Sequence, residues 1–493
     1  MLQGNKGSVK AGQIVQMTKK YGTTGFMYTE YPHKRFWPQH ATDQEFKTVL
    51  KERCQSEPDV PMMLYVHIPY CQQLCWFCTC HMSITQNYEK IPAYLKYLYR
   101  EIDLLRDFLK ANGIRINFQE IHLGGGSPTF LNEEDFNALV AKLATIADIS
   151  KLAEFALEID PRFVDEKRME FYASKGISRI SFGIQDFDLK VQQAVNRVQP
   201  AELTEKLITP RLRRLFKNGV NFDILCGLPH QTPESIKKTC ERIVAMSPDR
   251  ICLNYMHFSP ELAKHQTMMM DGRDGRPDRL PDYTERKAIF TEALQYLTTH
   301  GYLRTGYDHF AKPTDANAQA TQKGQANWNT LGTTPGRVFD VVGIGVSSMS
   351  TIGDAYFQVY YELADYEGAL AAGRFPVYRG HRLTRDDVIR RQVIQSLRSF
   401  FAIQFSAVKG IEFRSYFQKE LEHLQEFVRD GIVEIGPDKI VITELGHQFA
   451  NIVCRIFDRY YDGEKFSADL GERTDDQTPV PSAVEPLKNR RAK

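Results

Sequence analysis

From residue 62 to 300, short β-branched and apolar runs alternate with amphipathic stretches of helical period. That alternation predicts repeated βα units around a parallel sheet. Six runs read as strands: MMLYVHIPY, INFQEIHLGG, FALEID, RISFGIQD, NFDILCGLP and RICLNYMH. The fold class is therefore α/β. Six strands with crossover helices predict a partial or complete (β/α) barrel, with function on the loops at the C-terminal strand ends.

The flanks break this rhythm. Residues 1–61 read as an N-terminal arm or lid, because GFMYTEYPHKRFWPQH is too irregular for a helix and too aromatic for a free linker. Residues 301–378 read as an extension on the substrate side of the core. Within 379–466, LTRDDVIRRQVIQSLRSF, EFRSYFQKELEHLQEFVRDGIVEIG and KIVITELGHQFANIVCRIF predict a mainly helical domain with a small β element. Residues 467–493 are polar and contain prolines, which predicts a disordered tail.

Composition adds mostly exclusions. With 42% hydrophobic and 25% charged residues and no apolar run near the roughly 18 that would span a bilayer, a cytoplasmic protein is expected, with at most peripheral membrane contact. The N-terminal stretch has no signal-peptide pattern. A net charge of +2 gives no electrostatic case for nucleic acid, so Arg211 to Arg214 and Lys488 to Lys493 read as solvated faces. Of the nine cysteines, Cys71, Cys75, Cys78 and Cys80 fall within ten residues, whereas Cys54, Cys226, Cys240, Cys252 and Cys454 are scattered. Clustering of this kind in a reducing compartment points to metal rather than disulfides.

In YVHIPYCQQLCWFCTCHMSIT, Cys71, Cys75 and Cys78 give C-x3-C-x2-C directly after a predicted strand. Three closely spaced thiolates suit the irons of a cubane [4Fe-4S] cluster. With only three ligands, the fourth iron is left to chelate the amino and carboxylate groups of S-adenosylmethionine. One electron then cleaves the S–C5′ bond to give a 5′-deoxyadenosyl radical. A zinc knuckle would instead call for four ligands in two separated pairs, and the spacing of Cys80 from Cys78 is awkward for it.

Around these cysteines, YVHIPYC, the extra Cys80, GGGSPTFL, EIDPR, SFGIQDFD, VNR, DILCGLPHQT, NYMHF, GYDHFAKP and GIGVSSMSTIGD occur in the order found in a known family. The chain resembles the oxygen-independent coproporphyrinogen III oxidase (dehydrogenase), or HemN-like, group of radical S-adenosylmethionine enzymes. The likeness runs from YTEYP to the C-terminal helices. It implies that Gly124, Gly125 and Gly126 offer backbone to the methionine amino group, and that Glu158, Gln185, Arg197 and Asp223 bind adenosylmethionine. It also implies that Tyr65 stands between cluster and cofactor and that Phe77 packs on the adenine. His67, His122 and His257 are read as satisfied structural residues.

The substrate side departs from that pattern. Coproporphyrinogen-oxidising members carry Asn-Phe-Gln-Gly-Tyr-Thr-Thr where this chain has Asn327-Trp328-Asn329-Thr330-Leu331-Gly332-Thr333-Thr334. Met349 also replaces a smaller branched residue. The resemblance implies two adenosylmethionine molecules, the second near Asn329, Thr330 and Met349. The altered pocket makes class C radical methyl transfer to an aromatic substrate the leading expectation, with C8 of menaquinone as candidate. The alternative is oxidative decarboxylation of coproporphyrinogen III, with His33, Lys34 and Arg35 available to hold carboxylates. A haem chaperone or a haem-ring-opening enzyme is the further alternative. The expected partners are a quinone or tetrapyrrole and a reducing donor such as flavodoxin or ferredoxin.

Overall fold

A computed structural model describes residues 11–21, 28–260, 263–270 and 279–460. The stretch 467–493 lies outside them. All six expected strands are present: β1 (Pro61–Ile68), β2 (Asn117–Gly125), β3 (Glu154–Ile159), β4 (Arg179–Gln185), β5 (Val220–Cys226) and β6 (Arg250–Tyr255). They lie side by side in chain order, all parallel. Crossover helices such as Lys90–Ala111 and Pro233–Met246 bury Leu95, Leu98, Ile102, Ile236 and Ile243 among the core side chains.

The sheet continues past the predicted strands. On one side, β7 (Leu303–Arg304) and β8 (His309–Ala311) add antiparallel to β6. On the other, β9 (Asp340–Ile344) joins β1 in parallel, followed by antiparallel β10 (Met349–Ile352), β11 (Ala355–Val359) and β12 (Val377–Arg382). The order β12-β11-β10-β9-β1-β2-β3-β4-β5-β6-β8-β7 leaves two ends, so the barrel is partial. A hairpin, Asn327–Asn329 with Gly332–Thr334, bridges its open side. Gly332 sits against the His309 ring of β8, while Asn329 and Thr330 face Thr351 of β10 and Tyr356 of β11.

The arm and the C-terminal region pack onto this frame. Gly380 donates to the Pro38 carbonyl at 3.1 Å and Ala41 to that of Tyr378 at 3.1 Å, so the arm runs along β12. Trp37 stacks on Tyr356 with ring centres 5.0 Å apart. The C-terminal region holds helices Arg385–Phe400, Gln418–Arg429 and Ala450–Ile456 around a three-stranded sheet of Ala402–Gln404, Lys439–Ile442 and Val433–Ile435. Arg398 fixes it to the core, pairing with Asp308 at 2.9 Å and lying 4.2 Å over Trp328.

The inner face of the sheet is charged at the N-terminal ends of its strands. Glu154 pairs with Arg179 at 2.6 Å and Arg250 at 3.5 Å, Arg250 with Asp315 at 2.9 Å, and Arg337 with Glu120 at 3.0 Å. Burial works against the Glu154 carboxylate, yet Arg179 and Arg250 hold its pKa below the ordinary carboxylate value. Removing one member of such a network leaves its partners buried and unpaired. Glu154→Ala should therefore lower unfolding free energy by about 3–5 kcal/mol at pH 7, measured by urea titration. Because the folded pKa is depressed, the contribution is present above the unfolded value of about 4.3 and fades as pH falls through the folded one. The gap between wild type and variant should accordingly shrink below about pH 4.

Candidate active site

Past β1 the chain makes a two-residue parallel pairing, Tyr70–Cys71 with Ser83–Ile84, and between these lies the cysteine loop. Neighbouring loops pin it. Trp76 donates its amide to the Val195 carbonyl at 3.0 Å, and the Asn196 amide reaches the Leu74 carbonyl at 2.8 Å. Gln266 donates to the Phe77 carbonyl at 3.0 Å and His265 to that of Cys78 at 2.7 Å. Trp76 is buried with Val191, Val195, Leu228 and Met256, and Phe77 lies half-buried against them. Cys75 is buried, Cys71 and Cys78 are half-buried, and Cys80 is exposed.

Two guanidinium groups face Cys75. Arg197 Nη1 lies 3.3 Å from its Sγ and 3.1 Å from Asp160 Oδ2, while Nη2 donates to the Gly183 carbonyl at 2.7 Å. Arg162 Nη2 lies 3.5 Å from the same sulfur and 2.7 Å from Asp160 Oδ2. Asp160 is held below the usual carboxylate range against its burial, first by Arg197 and then by Arg162. Asp160 and Arg162 sit in EIDPR, where sequence reasoning used only Glu158. Burial pushes the Cys71 thiol up to about 12.

The glycine turn ends β2 beside this loop. A Cβ on Gly124 would stand 2.6 Å from Glu158 Oε1, and one on Gly125, at φ 116°, 2.7 Å from the His67 ring. Gly126 abuts Pro69. Glu158 accepts from the Gly125 amide at 3.1 Å and from His122 Nε2 at 3.0 Å. His67, whose pKa burial lowers, donates from Nε2 to the His81 carbonyl at 2.9 Å and accepts the Tyr65 hydroxyl at Nδ1, 3.0 Å away. Both histidines are therefore partnered, as expected. Gln185, at φ 64°, ends β4, and Asp223 on β5 accepts from Ser181 at 2.8 Å and Asn221 at 2.9 Å.

The structure thus brings Tyr65, Cys71, Cys75, Phe77, Cys78, Gly124, Gly125, Gly126, Glu158, Gln185, Arg197 and Asp223 to one end of the parallel sheet. Asn329 and Thr330 line a cleft with Glu30, Phe339, Thr351 and Tyr356, about 10 Å³ in volume. Met349 opens β10 and packs against Trp37, Tyr356 and Leu383.

The radical SAM superfamily model matches residues 65–243, the segment that carries this geometry. An oxygen-independent coproporphyrinogen III oxidase of Pseudomonas aeruginosa is 34% identical over 455 residues, 90% of this chain and 95% of that protein. The enzyme of the same description from Escherichia coli is 33% identical over 448 residues, 90% and 94% of the two chains. The chain belongs to the oxygen-independent coproporphyrinogen III oxidase family. The solved structure of the Escherichia coli family member, HemN, described as a radical SAM enzyme, superposes with a TM-score of 0.79 at 33% identity, covering 88% of this chain and 97% of that one. The chain is accordingly a radical S-adenosylmethionine enzyme, with a [4Fe-4S] cluster and S-adenosylmethionine as its cofactors.

Those relatives overturn the expectation of methyl transfer to menaquinone. The structure supplies a physical reason why the departures at Asn329 and Thr330 misled. Asn329 Oδ1 accepts the Leu331 amide at 2.9 Å, so this side chain closes its own two-residue turn. One side of its amide serves the hairpin, while Nδ2 is buried without a hydrogen-bond partner.

The donor set fits the cluster. Among the described residues no three His, Cys, Asp or Glu side chains form a group able to hold a metal ion as they stand. The fit rests on soft thiol donors in one loop and on the cations facing Cys75, which match the negative charge of a thiolate-ligated cubane. Among the described residues no helix is long and apolar enough to cross a membrane.

The glycine turn is open to direct test. Gly125→Ala, which meets both the His67 ring and a left-handed backbone, should cost about 2 kcal/mol or more. Gly113→Ala, at φ 63° with no atom within 4 Å of the added Cβ, should cost only about 1–2 kcal/mol. Urea unfolding of the pair reads the difference, and equal losses would rule out the crowding at His67.

Proposed function

We propose that this chain converts coproporphyrinogen III to protoporphyrinogen IX, decarboxylating two propionate side chains to vinyl groups, with the 5′-deoxyadenosyl radical taking one hydrogen atom from each and a one-electron acceptor taking the electron left when carbon dioxide departs. The observation that carries this reading is a match spanning 90% of the chain and 95% of a relative so named, arm and C-terminal region included. Cys71, Cys75 and Cys78 are assigned to the cluster. When bound there, the cluster supplies the electron that turns adenosylmethionine into a source of a 5′-deoxyadenosyl radical.

The chain's own groups hold and orient. Gly124, Gly125 and Gly126 give the adenosylmethionine main-chain contacts, since side chains there would collide with Glu158, His67 and Pro69. Glu158, Asp223 and Gln185 offer acceptors for its amino and hydroxyl groups, and Arg197 a cation for its carboxylate. Tyr65 is fixed through His67 between loop and turn, and Phe77 presents its ring to the adenine. A low-potential donor such as flavodoxin or ferredoxin is assigned to supply electrons. A reducing cytoplasm accords with nine cysteines that are all free.

Anaerobic reconstitution followed by adenosylmethionine, reductant and coproporphyrinogen III should release carbon dioxide and yield the vinyl product. No carbon dioxide from a protein with an intact cluster would contradict the reading. Cys71→Ala should lose cluster iron and all turnover, checked by iron content and product analysis together.

A further inference from the structure

β12 forms the end of the sheet nearest the arm, and it presents a cationic and aromatic surface that the roles above leave unused. The arm's short turn Lys34–Phe36 is clamped there by Trp37 stacked on Tyr356 and by the bond from Gly380 to Pro38. Arg379 of β12 lies against this turn, with Nη1 3.4 Å from the Lys34 carbonyl. The Arg379 guanidinium and the Lys34 backbone are thereby in contact. Among the described residues no aspartate or glutamate forms an ion pair with Lys34 or Arg379, and Nε of Arg379 is buried without a hydrogen-bond partner. Arg35 is different, since it lies over Phe36 at 4.8 Å and acts on Asp458.

Most of the neighbouring charge has the same sign, with the buried Glu30 carboxylate accepting the Lys34 amide at 2.8 Å and lying 3.8 Å from His33 Nε2. His33 is held well below its ordinary pKa by burial and then by Lys34, Arg35, His257 and Arg379. The cysteine loop reaches this surface at His81, the residue after Cys80. Next to it stands Tyr361, 45% exposed, edge-on to His81 with ring centres 4.3 Å apart. Tyr360 and Tyr378 stack at 5.4 Å, and Arg379 lies 5.2 Å over Tyr378.

We propose that Lys34 and Arg379 anchor the substrate's propionate carboxylates, with Tyr361 as the aromatic face for a pyrrole ring beside the cysteine loop. This rests on the reading of the substrate as a tetracarboxylate tetrapyrrole. An arginine fork with one edge unused accepts a carboxylate in two parallel bonds, a neighbouring lysine takes a second oxygen as a point charge, and an exposed tyrosine offers area at low entropic cost. It also assigns a job to the arm, which brings Lys34 to the sheet edge.

The test is binding to the reconstituted full chain, followed by fluorescence, with coproporphyrin III and its tetramethyl ester as probes. Wild type should bind the acid at least about tenfold more tightly than the ester. Lys34→Gln and Arg379→Gln should each weaken acid binding by about tenfold, leave the ester unaffected, and retain cluster iron. Lys34→Arg, which keeps the charge, should stay near wild type, and Tyr361→Ala should weaken both probes where Tyr361→Phe does not. Unchanged acid binding in both charge variants, or an ester bound as tightly as the acid, overturns the anchor. The two readings fail separately. Turnover with unchanged affinity and KM in the variants sinks the anchor alone, whereas charge-dependent binding without turnover sinks the reaction and leaves the anchor standing.

Discussion

One largely covered carboxylate, Asp160, organises the site, because it holds two guanidinium groups against the same cysteine sulfur. Two arginines that close would repel, and Asp160 between them makes the arrangement possible at the end of β3. Arg197 is in turn tied to the Gly183 carbonyl of β4, and its neighbour Asn196 to the Leu74 carbonyl of the cysteine loop. Two strand ends and the loop are thus locked together through ion pairs and charge-assisted bonds, which are costly to break where solvent is excluded. The net positive charge of the trio faces the place where thiolate charge must accumulate when the cluster is bound.

The rest of the fold serves to keep that end of the sheet in place. The charged network of Glu120, Glu154, Arg179, Arg250 and Arg337 fills the opposite end of the strands, so the partial barrel is a packed body rather than a pore. The hairpin at residues 327–334 spans the open side, and Arg398 against Trp328 and Asp308 carries the constraint into the C-terminal helices. The arm does the same along β12 through Trp37 and Tyr356.

The six parallel strands were legible because each is a short apolar run bounded by turn residues, and the three cysteines because their spacing suits few other chemistries. The antiparallel strands β10 to β12 were harder to see, since GIGVSSMSTIGD has little alternation and Val377–Arg382 is polar on its open side. The helix Asp43–Ser56 passed unread within the arm although Thr42 and Glu45 form a capping box. Arg162 carried no signal of its own: its partner Asp160 is two residues away in sequence, while its target, Cys75, is 87 residues away. The substrate side misled for a physical reason, since the sequence shows a polar residue at 329 but not that its Oδ1 is engaged by the Leu331 amide of its own turn.

The central claim is that Cys71, Cys75 and Cys78 hold a [4Fe-4S] cluster with one iron open to adenosylmethionine. Electron paramagnetic resonance of the reconstituted, reduced full chain, recorded with and without adenosylmethionine, tests it most directly. The account predicts a reduced-cluster signal that changes shape when adenosylmethionine is added and is absent in Cys75→Ala. A signal indifferent to adenosylmethionine, or one that survives in Cys75→Ala, would contradict it.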